Sequence, residues 1–491
     1  MLRARLLARL AIGLAVHASI SAAQESQSTA PPITLDTQLI PPVSVTGAPA
    51  ELLPQPQTLR ERMAEADVPG LSIAVVIDGQ IAWAQGFGLA NVERQSPVTE
   101  TTLFQAASIS KPVAAVGALR LAELGVIDLD ANVDSILTSW TIPAHTIEGE
   151  WDQQADPVTI RNLLSHDAGT TVRGFPGYER DQRIPTTVEV LEGQGNTAPV
   201  LVEARPNSRH QYSGGGYTIA QLTMVDAANE FDDFPSLMSA LVLNPLGMND
   251  STFVQPLPNT LYDRASTGYQ FDGSPINGNW VVHPEMAAAG LWTTPSDLAR
   301  LFISLQQGMA GQDGPVLAAD SVAQMLRFEG DVRYGLGINV GTERIGHGGG
   351  NRGFRCVATF FNDRPEGIVI MSNGDNGWGL NSDVLRTIFV ELEWPGLRPI
   401  EKSVTQLDLA QLARCAGRFA LPDGTTFQVE IDESEVGLVV TLADDQTFRL
   451  LPESESVFFD PADGVPITFD LSAEGPATRA IWSELSASRV Q

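Results

Sequence analysis

Apolar residues follow two periods along the first half of the chain, one typical of strands and one typical of helices. Leu71–Ile77 and Gln80–Gly86 are β-prone runs separated by an Asp-Gly dipeptide, which favours the two-residue turn of a hairpin. From Ser108 onward, apolar residues recur every three to five positions as far as Gly125. This pattern predicts a β-hairpin followed by a helix that ends at the glycine.

The same alternation continues over the next part of the chain. Residues 126–330 mix short helices with loops rich in Gly and Pro. Strands are predicted at Cys356–Phe361 and Gly367–Ser372, followed by a helix from about Ser382 to Leu392. We therefore expect one large domain of mixed helices and strands over residues 58–395.

The C-terminal residues 405–491 have a different pattern. Short alternating runs are separated by turn sequences at residues 422–424 and 443–445, which is typical of a small antiparallel barrel or sandwich. Residues 396–404 begin at the glycine of a Trp-Pro-Gly sequence and are predicted to be a linker. The chain is therefore expected to end in a second, smaller domain.

The first 57 residues are predicted to lie outside both domains. Three arginines precede the apolar run Leu10–Ala18, and small residues follow as far as Ala23, which is the pattern of a cleavable signal peptide over residues 1–23. A retained membrane helix, the alternative, needs ~20 apolar residues, about twice this run. Residues 24–57 contain seven prolines and form a predicted extended leader. We expect a periplasmic or secreted protein without a membrane anchor after cleavage.

Composition and charge exclude several classes of function. Of 491 residues, 43% are hydrophobic, which is enough to bury a large core. The chain has 30 basic and 59 acidic residues and a net charge of −29, so it repels nucleic acid and anionic membranes. Cys356 and Cys415 lie in different predicted domains, which favours two buried free thiols over a disulfide, the alternative. No His-Glu-x-x-His motif occurs, and we expect no metal or other cofactor.

Lysine is rare in this chain, and one of the two lysines, Lys111, lies three residues after Ser108. On a helix, this spacing places the hydroxyl and the amine on one face. A serine hydroxyl becomes a nucleophile when a neighbouring base takes its proton, and a lysine at the positive end of a helix dipole does so when its neutral form is favoured. The start of the helix also presents free N–H groups to an oxyanion. The alternative is a helix cap at Ser108 and a solvated Lys111.

Two glycine-rich fragments carry further candidate groups. Tyr212 precedes a serine and three glycines that open another helical pattern, and its phenol is suited to relaying a proton to a leaving group. A buried structural tyrosine is the alternative. His347 lies within Gly346–Gly353, before a predicted strand, where glycines let the backbone approach a ligand and direct an N–H group at it. A mobile turn is the alternative for this second fragment.

Together these motifs resemble the serine β-lactamase and penicillin-binding-protein-like superfamily, in the branch of class C β-lactamases, D-aminopeptidases and related esterases. The order of the motifs carries the resemblance: Ser-x-x-Lys at 108–111, a Tyr-x-Asn-like element at 212–214 and a His-x-Gly version of Lys-Thr-Gly at 347–349. Further matching segments are 68–72, 159–169, 245–248 and 289–298. The resemblance covers about residues 55–395, and residues 405–491 resemble the lipocalin-like barrel appended to such hydrolases.

The resemblance implies an α+β fold, in which an antiparallel sheet is flanked by helices and joined to an all-helical subdomain, with a small C-terminal antiparallel β-barrel. It implies that Ser108 attacks a carbonyl, that Lys111 and Tyr212 move the proton, and that water releases the resulting acyl-enzyme. The backbone N–H groups of Ser108 and Gly350 are implied to hold the oxyanion, with Gly349 beside them in the substrate-binding strand.

Two positions depart from the family pattern. Gly214 stands where the family has an asparagine that bonds the substrate and Lys111, and Asn207 is a candidate replacement. His347 replaces a fixed cation that grips substrate carboxylates, and it is expected to bond Tyr212 or the substrate. Because a neutral imidazole holds a carboxylate weakly, esters or amides of D-amino acids are favoured over penicillins.

The sequence thus predicts a serine hydrolase of the carboxylesterase or D-amino-acid peptidase type, acting on small molecules or short peptides. The alternatives are a β-lactamase and a catalytically inactive protein that binds peptidoglycan fragments. Ser165-His166-Asp167 is predicted to be a structural turn, because adjacent residues cannot converge on one carbonyl. The oligomeric state and the role of the barrel stay open.

Overall fold

The computed structural model describes residues 33–143, 156–328, 330–434, 436–473, 475–482 and 485–490. Contacts divide the chain into two compact units. Over the described residues, the first contains Ile33 and residues from Arg62 to Asn381, and the second contains Thr34–Glu61 and the residues from Ser382 onward. The predicted signal peptide, residues 1–23, lies outside the described residues. Within them, none of the helices is both long enough and apolar enough to span a bilayer.

Strands and helices are numbered in chain order over the described residues. The strands are β1 (Val43–Thr46), β2 (Gly70–Ile77), β3 (Gln80–Asn91), β4 (Ser96–Pro97), β5 (Phe104–Gln105), β6 (Tyr178–Glu179), β7 (Val281–Val282), β8 (Trp292–Thr293), β9 (Asn339–Val340), β10 (Arg344–Asn351), β11 (Phe354–Phe361), β12 (Gly367–Ser372), β13 (Ile400–Ser403), β14 (Gly417–Ala420), β15 (Thr426–Ile431), β16 (Leu438–Thr441), β17 (Thr447–Pro452), β18 (Val457–Phe459), β19 (Pro466–Leu471), β20 (Ala477–Trp482) and β21 (Leu485–Val490). The α-helices are α1 (Leu59–Glu65), α2 (Ser110–Glu123), α3 (Ile160–Leu164), α4 (Thr187–Leu191), α5 (Gly214–Ala227), α6 (Phe234–Met238), α7 (Met286–Ala289), α8 (Pro295–Met309), α9 (Ala319–Met325), α10 (Gly377–Glu391) and α11 (Leu409–Cys415).

A seven-stranded antiparallel sheet forms one layer of the first unit, in the order β4-β3-β2-β12-β11-β10-β9. The hairpin of β2 and β3 is the one predicted from the sequence. Asp78 and Gly79 have φ values of 52° and 74°, as the preferred turn between right-twisted strands requires. Strand β10, at the other side of this sheet, carries the glycine-rich fragment.

Helices cover this sheet and pack on one another. Helix α8 packs on β2, β11 and β12, and it begins where the Thr294 side chain accepts a hydrogen bond from the Asp297 N–H. Helix α2 is buried along most of its length and is apolar on nearly all sides, which is typical of a helix inside a core. Lys111, in its first turn, is therefore buried as well.

The second unit contains a closed barrel of eight antiparallel strands, β14 to β21. Aromatic side chains such as Phe419, Phe458 and Phe469 fill its interior, and helix α11 contributes Leu412 and Cys415 to the same core. The predicted α+β fold with a C-terminal barrel is confirmed by this architecture.

Part of the sequence predicted to be an extended leader forms regular structure in the second unit. Strand β1 pairs in parallel with β13, which lies in the predicted linker, and Val43 is opposite Ile400. Leu52 packs against Leu451 and Phe459. The proline content of the leader gave no sign of this pairing, because the partner strand lies near the other end of the chain.

Candidate active site

Ser108 lies in a tight 3₁₀ turn, Ala107–Ile109, so that α2 begins at Ser110 rather than at the predicted Ser108. Ala107 has a φ of 49°, in the left-handed region that residues with a Cβ seldom adopt. Lys111 Nζ lies 3.1 Å from Ser108 Oγ and donates to the carbonyl oxygen of Ala288 at 2.9 Å. Ser108 is partly exposed, whereas Lys111 is only 2% exposed. The alcohol is open to a substrate while the amine is closed off from water.

The surroundings of Lys111 are aromatic rather than acidic. Its Nζ is 4.9 Å from the centroid of the Tyr212 ring and 5.5 Å from that of Tyr217. Among the residues that the structure describes, no carboxylate forms an ion pair with this amine. The amine is therefore enclosed by aromatic rings, and its hydrogen-bond partners are the Ser108 hydroxyl and the Ala288 carbonyl.

Tyr212 packs against the buried imidazole of His166, with ring centroids 4.2 Å apart. The Ser213 N–H donates to His166 Nδ1 at 3.0 Å, so that the neutral ring carries its proton on Nε2. Burial, with the nearby Lys111, holds the pKa of His166 well below its usual value. Ser213 Oγ also caps α5 by accepting from the Gly216 N–H at 2.9 Å. The capped helix and the His166 ring together position Tyr212.

The segment Ser165-His166-Asp167 has the form predicted for it, a turn at the end of α3. The Asp167 N–H donates to the carbonyl oxygen of Asn162 at 2.8 Å, and His166 has a φ of 66°. The turn also carries the His166 ring to Tyr212, a contact that the sequence did not indicate.

His347 is hydrogen-bonded to Tyr334, whereas the sequence predicted a bond with Tyr212 or with the substrate. Nδ1 lies 2.6 Å from the carbonyl oxygen of Gly348, which only accepts, so Nδ1 carries the proton and Nε2 accepts from the Tyr334 hydroxyl at 3.1 Å. The His347 and Tyr212 rings are 6.5 Å apart between centroids. Burial, with the nearby Lys111, lowers the pKa of His347 to about 3, so the ring supplies no fixed positive charge at neutral pH.

The glycine-rich fragment, which the sequence places before a predicted strand, itself forms strand β10 as far as Asn351, and the directions of its backbone N–H groups bear on the oxyanion. Along a strand, the backbone N–H groups point alternately to its two neighbouring strands. The Phe361 N–H of β11 donates to the Glu366 carbonyl, on the side of β12, so the N–H of Cys356, five residues earlier and opposite Gly349, points to β10. Gly349 therefore forms its backbone hydrogen bonds with β11. The N–H groups of Gly348 and Gly350 point to the opposite edge of β10, where β9 pairs only with Ile345 and Gly346. The N–H groups of Gly350 and of Ser108, in its 3₁₀ turn, are the candidate oxyanion donors.

Close neighbours on both faces of β10 explain its glycines. A Cβ on Gly349 would lie 2.3 Å from the carbonyl oxygen of Ala106, and one on Gly348 would lie 3.2 Å from the indole of Trp378. Trp378 belongs to α10 and is 46% exposed. The lack of side chains thus lets β10 approach the residues that immediately precede Ser108.

Phe175 occupies the space that an asparagine at position 214 would need. A Cβ on Gly214 would lie 2.9 Å from the Phe175 ring and 3.3 Å from the carbonyl oxygen of Arg173. Asn207 lies in a turn with a φ of 61°, and none of the hydrogen bonds of the described residues joins it to Lys111. Asn207 therefore does not replace the missing amide.

The model of the family described as beta-lactamase matches residues 56–388 of this chain. The chain belongs to the beta-lactamase family. Penicillin-binding protein 4* of Bacillus subtilis is 24% identical over 452 residues, 87% of this chain and 96% of that protein. Esterase EstB of Burkholderia gladioli is 30% identical over 278 residues, 54% of this chain and 66% of that protein. The octameric penicillin-binding protein homologue from Pyrococcus abyssi has the same fold, with a TM-score of 0.58, 20% identity and coverage of 87% of this chain and 98% of that one.

Family membership identifies the chain as a serine hydrolase of the beta-lactamase family, and it confirms the superfamily and fold predicted from the sequence. The site also contains side chains that sequence reasoning missed. Tyr334 and Trp378 reach it from a loop and from a helix whose local patterns carry no sign of a site. The sequence indicates His166 only as part of a turn.

The cysteines are both buried free thiols in this beta-lactamase-family chain. Cys356 Sγ donates to the carbonyl oxygen of Ala106 at 3.1 Å and so links β11 to the residues before Ser108. Burial raises the pKa of both thiols, that of Cys415 to about 12, which keeps them unreactive. Within the described ranges, no group of three or more His, Cys, Asp or Glu side chains is arranged to hold a metal ion.

A second buried ionisable pair lies next to α7, the helix whose Ala288 carbonyl accepts from Lys111. His283 Nδ1 and Glu285 Oε2 are 3.9 Å apart, and both side chains are fully buried. None of their nitrogen or oxygen atoms has a hydrogen-bond partner among the described residues. Burial lowers the pKa of His283 to about 4 and raises that of Glu285 to about 8, so both side chains are mainly neutral at neutral pH.

Because Glu285 is buried, the wild type is expected to lose stability progressively as the pH rises, and Glu285→Gln is expected to abolish this pH-dependent loss. An unfolded glutamate ionises near pH 4.5, whereas the folded Glu285 stays protonated up to about pH 8. Its contribution to stability is therefore full below pH 4.5 and is lost as the pH rises through about 8. The Tm of Glu285→Gln minus that of the wild type should increase between about pH 5 and about pH 8.5, measured by thermal unfolding. The control is Glu401→Gln, at an exposed glutamate, whose Tm difference from the wild type should not change with pH. A Tm difference that also stays constant for Glu285→Gln would contradict the expectation.

Proposed function

We propose that this protein is an esterase or amidase that forms an acyl-enzyme on Ser108 and hydrolyses small esters or amides. One observation carries the proposal: Lys111 Nζ, buried and without an acidic partner among the described residues, lies 3.1 Å from the hydroxyl of a partly exposed serine. A neutral amine at that distance is placed to take the hydroxyl proton.

The reaction follows from the atoms around Ser108. Its Oγ attacks the substrate carbonyl carbon while its proton passes to Lys111 Nζ, and the carbonyl oxygen becomes an oxyanion held by the N–H groups of Ser108 and Gly350. The proton then passes to the leaving group through the Tyr212 phenol as the ester or amide bond breaks. Water attacks the acyl-enzyme with the same groups in reverse roles, releasing the acid and restoring Ser108.

Two features of the site favour simple esters and amides over β-lactams. His347 is neutral and bonded to Tyr334, so the position at which the family has a fixed cation carries no charge to hold a β-lactam carboxylate. Phe175 takes the place of the asparagine amide that the family pattern provides at position 214. The 30% identity with Esterase EstB supports the same choice.

A fluorophosphonate probe tests the proposal, because it reacts with activated serines. The folded full chain should gain one adduct at Ser108 by mass spectrometry, and Ser108→Ala should gain none there. In parallel, 4-nitrophenyl butyrate, a D-alanine anilide and nitrocefin are offered to both proteins. Turnover of the ester or the anilide that disappears in Ser108→Ala is expected. No adduct and no turnover would instead favour a binding protein, and faster hydrolysis of nitrocefin than of the other two would favour a β-lactamase.

We also propose that the protein is exported, to the periplasm or outside the cell, after cleavage that follows Ala23. The support is the pattern of residues 1–23 described from the sequence. N-terminal sequencing of the protein recovered from an exporting bacterial host should begin at Gln24. A recovered protein that retains residues 1–23 in the cytoplasmic fraction would contradict export.

A further inference from the structure

A short loop after α3, residues 171–173, is fastened to the first turn of α5 beside Tyr212. Each of its three carbonyl oxygens accepts a hydrogen bond from the start of that helix. The bonds run from Ser213 Oγ to Thr171 O at 2.6 Å, from the Gly215 N–H to Val172 O at 3.0 Å and from the Gly214 N–H to Arg173 O at 3.1 Å. These three hydrogen bonds therefore fix the position of the loop relative to the start of α5, which directly follows Tyr212 and Ser213.

The middle residue of this loop is strained. Val172 has a φ of 61°, in the left-handed region that is unfavourable for a β-branched side chain. Such strain persists only where surrounding bonds enforce it, and it is concentrated at catalytic and binding sites. Here the bonds to α5 hold Val172 in this conformation, and the conformation sets the direction in which the next residue, Arg173, leaves the loop.

Arg173 places a guanidinium next to the candidate catalytic tyrosine. Its Cζ is 5.9 Å from the centroid of the Tyr212 ring, and the residue is exposed. Over the described part of the chain, no carboxylate forms an ion pair with it, whereas Arg352, for example, pairs with Glu179 at 3.0 Å. Acidic residues outnumber basic ones by 59 to 30 in this chain, so acidic partners are plentiful. Arg173 lies beside the site without one, and its guanidinium is therefore available to bind an anion from solution.

The other candidate for binding an anion, His347, is already engaged. Its two ring nitrogens are bonded to the Gly348 carbonyl and the Tyr334 hydroxyl, and the ring is neutral. Lys111 is enclosed, with its amine on Ser108 and Ala288. A guanidinium, by contrast, presents a planar fork of donors that matches a carboxylate.

We propose that Arg173 binds a carboxylate of the substrate, so that the preferred substrates are esters or amides carrying a free carboxylate within reach of Tyr212. The proposal rests on the hydrolase function proposed above and names the class of substrate. It makes Arg173 a specificity-determining residue for a reaction carried out at Ser108.

The test is a selectivity ratio measured on the full chain: kcat/KM for a carboxylate ester divided by kcat/KM for its neutral counterpart. Two pairs put the carboxylate on either side of the scissile bond. One pair is 4-nitrophenyl hydrogen glutarate and 4-nitrophenyl valerate, and the other is 3-carboxyphenyl butyrate and phenyl butyrate. Arg173→Gln should lower the ratio of at least one pair by about 10- to 100-fold, the scale of a charge-assisted hydrogen bond. Arg173→Lys, which keeps the charge but not the fork, should lower it less.

The control is Arg398→Gln, which removes one positive charge at an exposed linker arginine and should leave both ratios unchanged. Unchanged ratios in Arg173→Gln would overturn the proposal. Binding of glutarate, measured by titration calorimetry, gives a readout independent of catalysis. The Kd should rise about tenfold in Arg173→Gln, and an equal Kd, or no binding to the wild type, would overturn the role of Arg173. The wild type could fail to turn over all four esters and still bind glutarate in a way that depends on Arg173. That result would contradict the hydrolase function while supporting an anion-binding site at Arg173.

Discussion

Replacing Lys111 with methionine is expected to slow the acylation of Ser108 by about 10²- to 10⁴-fold, the usual contribution of a general base. Methionine is apolar and of similar length, so it suits the aromatic surroundings made by Tyr212 and Tyr217. It lacks a group that accepts the hydroxyl proton at 3.1 Å from Ser108 Oγ. The measurements are the second-order rate constant for fluorophosphonate labelling and kcat/KM for 4-nitrophenyl butyrate.

Two further variants separate loss of the base from loss of structure. Lys111→Met also leaves the buried Ala288 carbonyl without its donor, which costs about 1–3 kcal/mol of stability. Ser110→Ala is the matched control, because Ser110 Oγ lies in the same turn and accepts from the Leu291 N–H at 3.0 Å, and none of the side-chain hydrogen bonds of the described residues joins it to the Ser108 hydroxyl. Its labelling rate should stay within a few-fold of the wild type. Lys111→Arg places a guanidinium at this position, which does not lose its proton and so cannot act as a base, and it should be as slow as Lys111→Met. A normal rate in either lysine variant would refute the base.

The features predicted correctly from the sequence depend on residues that are close along the chain. The hairpin of β2 and β3 follows from an Asp-Gly turn between two β-prone runs, and the two φ values of that turn bear this out. The distance between Ser108 and Lys111 follows in the same way from a spacing of three residues at a helix start. Short-range geometry of this kind is encoded locally, so a single sequence suffices to predict it.

The features that the sequence did not reveal depend on contacts between distant segments. The glycine-rich fragment carries no strand pattern of its own, since glycine disfavours strands, yet it forms β10, where Trp378 and the Ala106 carbonyl leave no room for side chains at Gly348 and Gly349. The hydrogen bond of His347 with Tyr334 likewise depends on where a separate loop packs. Such causes become visible only when the tertiary structure is known.

Removing the Tyr212 hydroxyl is expected to slow the reaction to a degree that depends on the leaving group. In Tyr212→Phe the ring still covers Lys111 and still packs on His166, so the loss is confined to the proton relay. An alkoxide or amine must be protonated as it leaves, whereas 4-nitrophenolate leaves readily without a proton. We expect kcat/KM to fall by about 10²- to 10³-fold for ethyl butyrate or an alkyl amide and by about tenfold for 4-nitrophenyl butyrate.

Tyr217→Phe is the matched control for this prediction, because Tyr217 also faces Lys111, with its ring centroid 5.5 Å from Nζ. Its hydroxyl donates to the carbonyl oxygen of Leu164 at 2.8 Å and is fully buried. Loss of that hydroxyl should lower the free energy of unfolding by about 1–3 kcal/mol while the two esters keep their wild-type ratio of rates. A Tyr212→Phe protein that slows both esters by the same factor would show that the phenol positions the substrate instead of passing a proton, since only proton transfer to the leaving group distinguishes the two substrates.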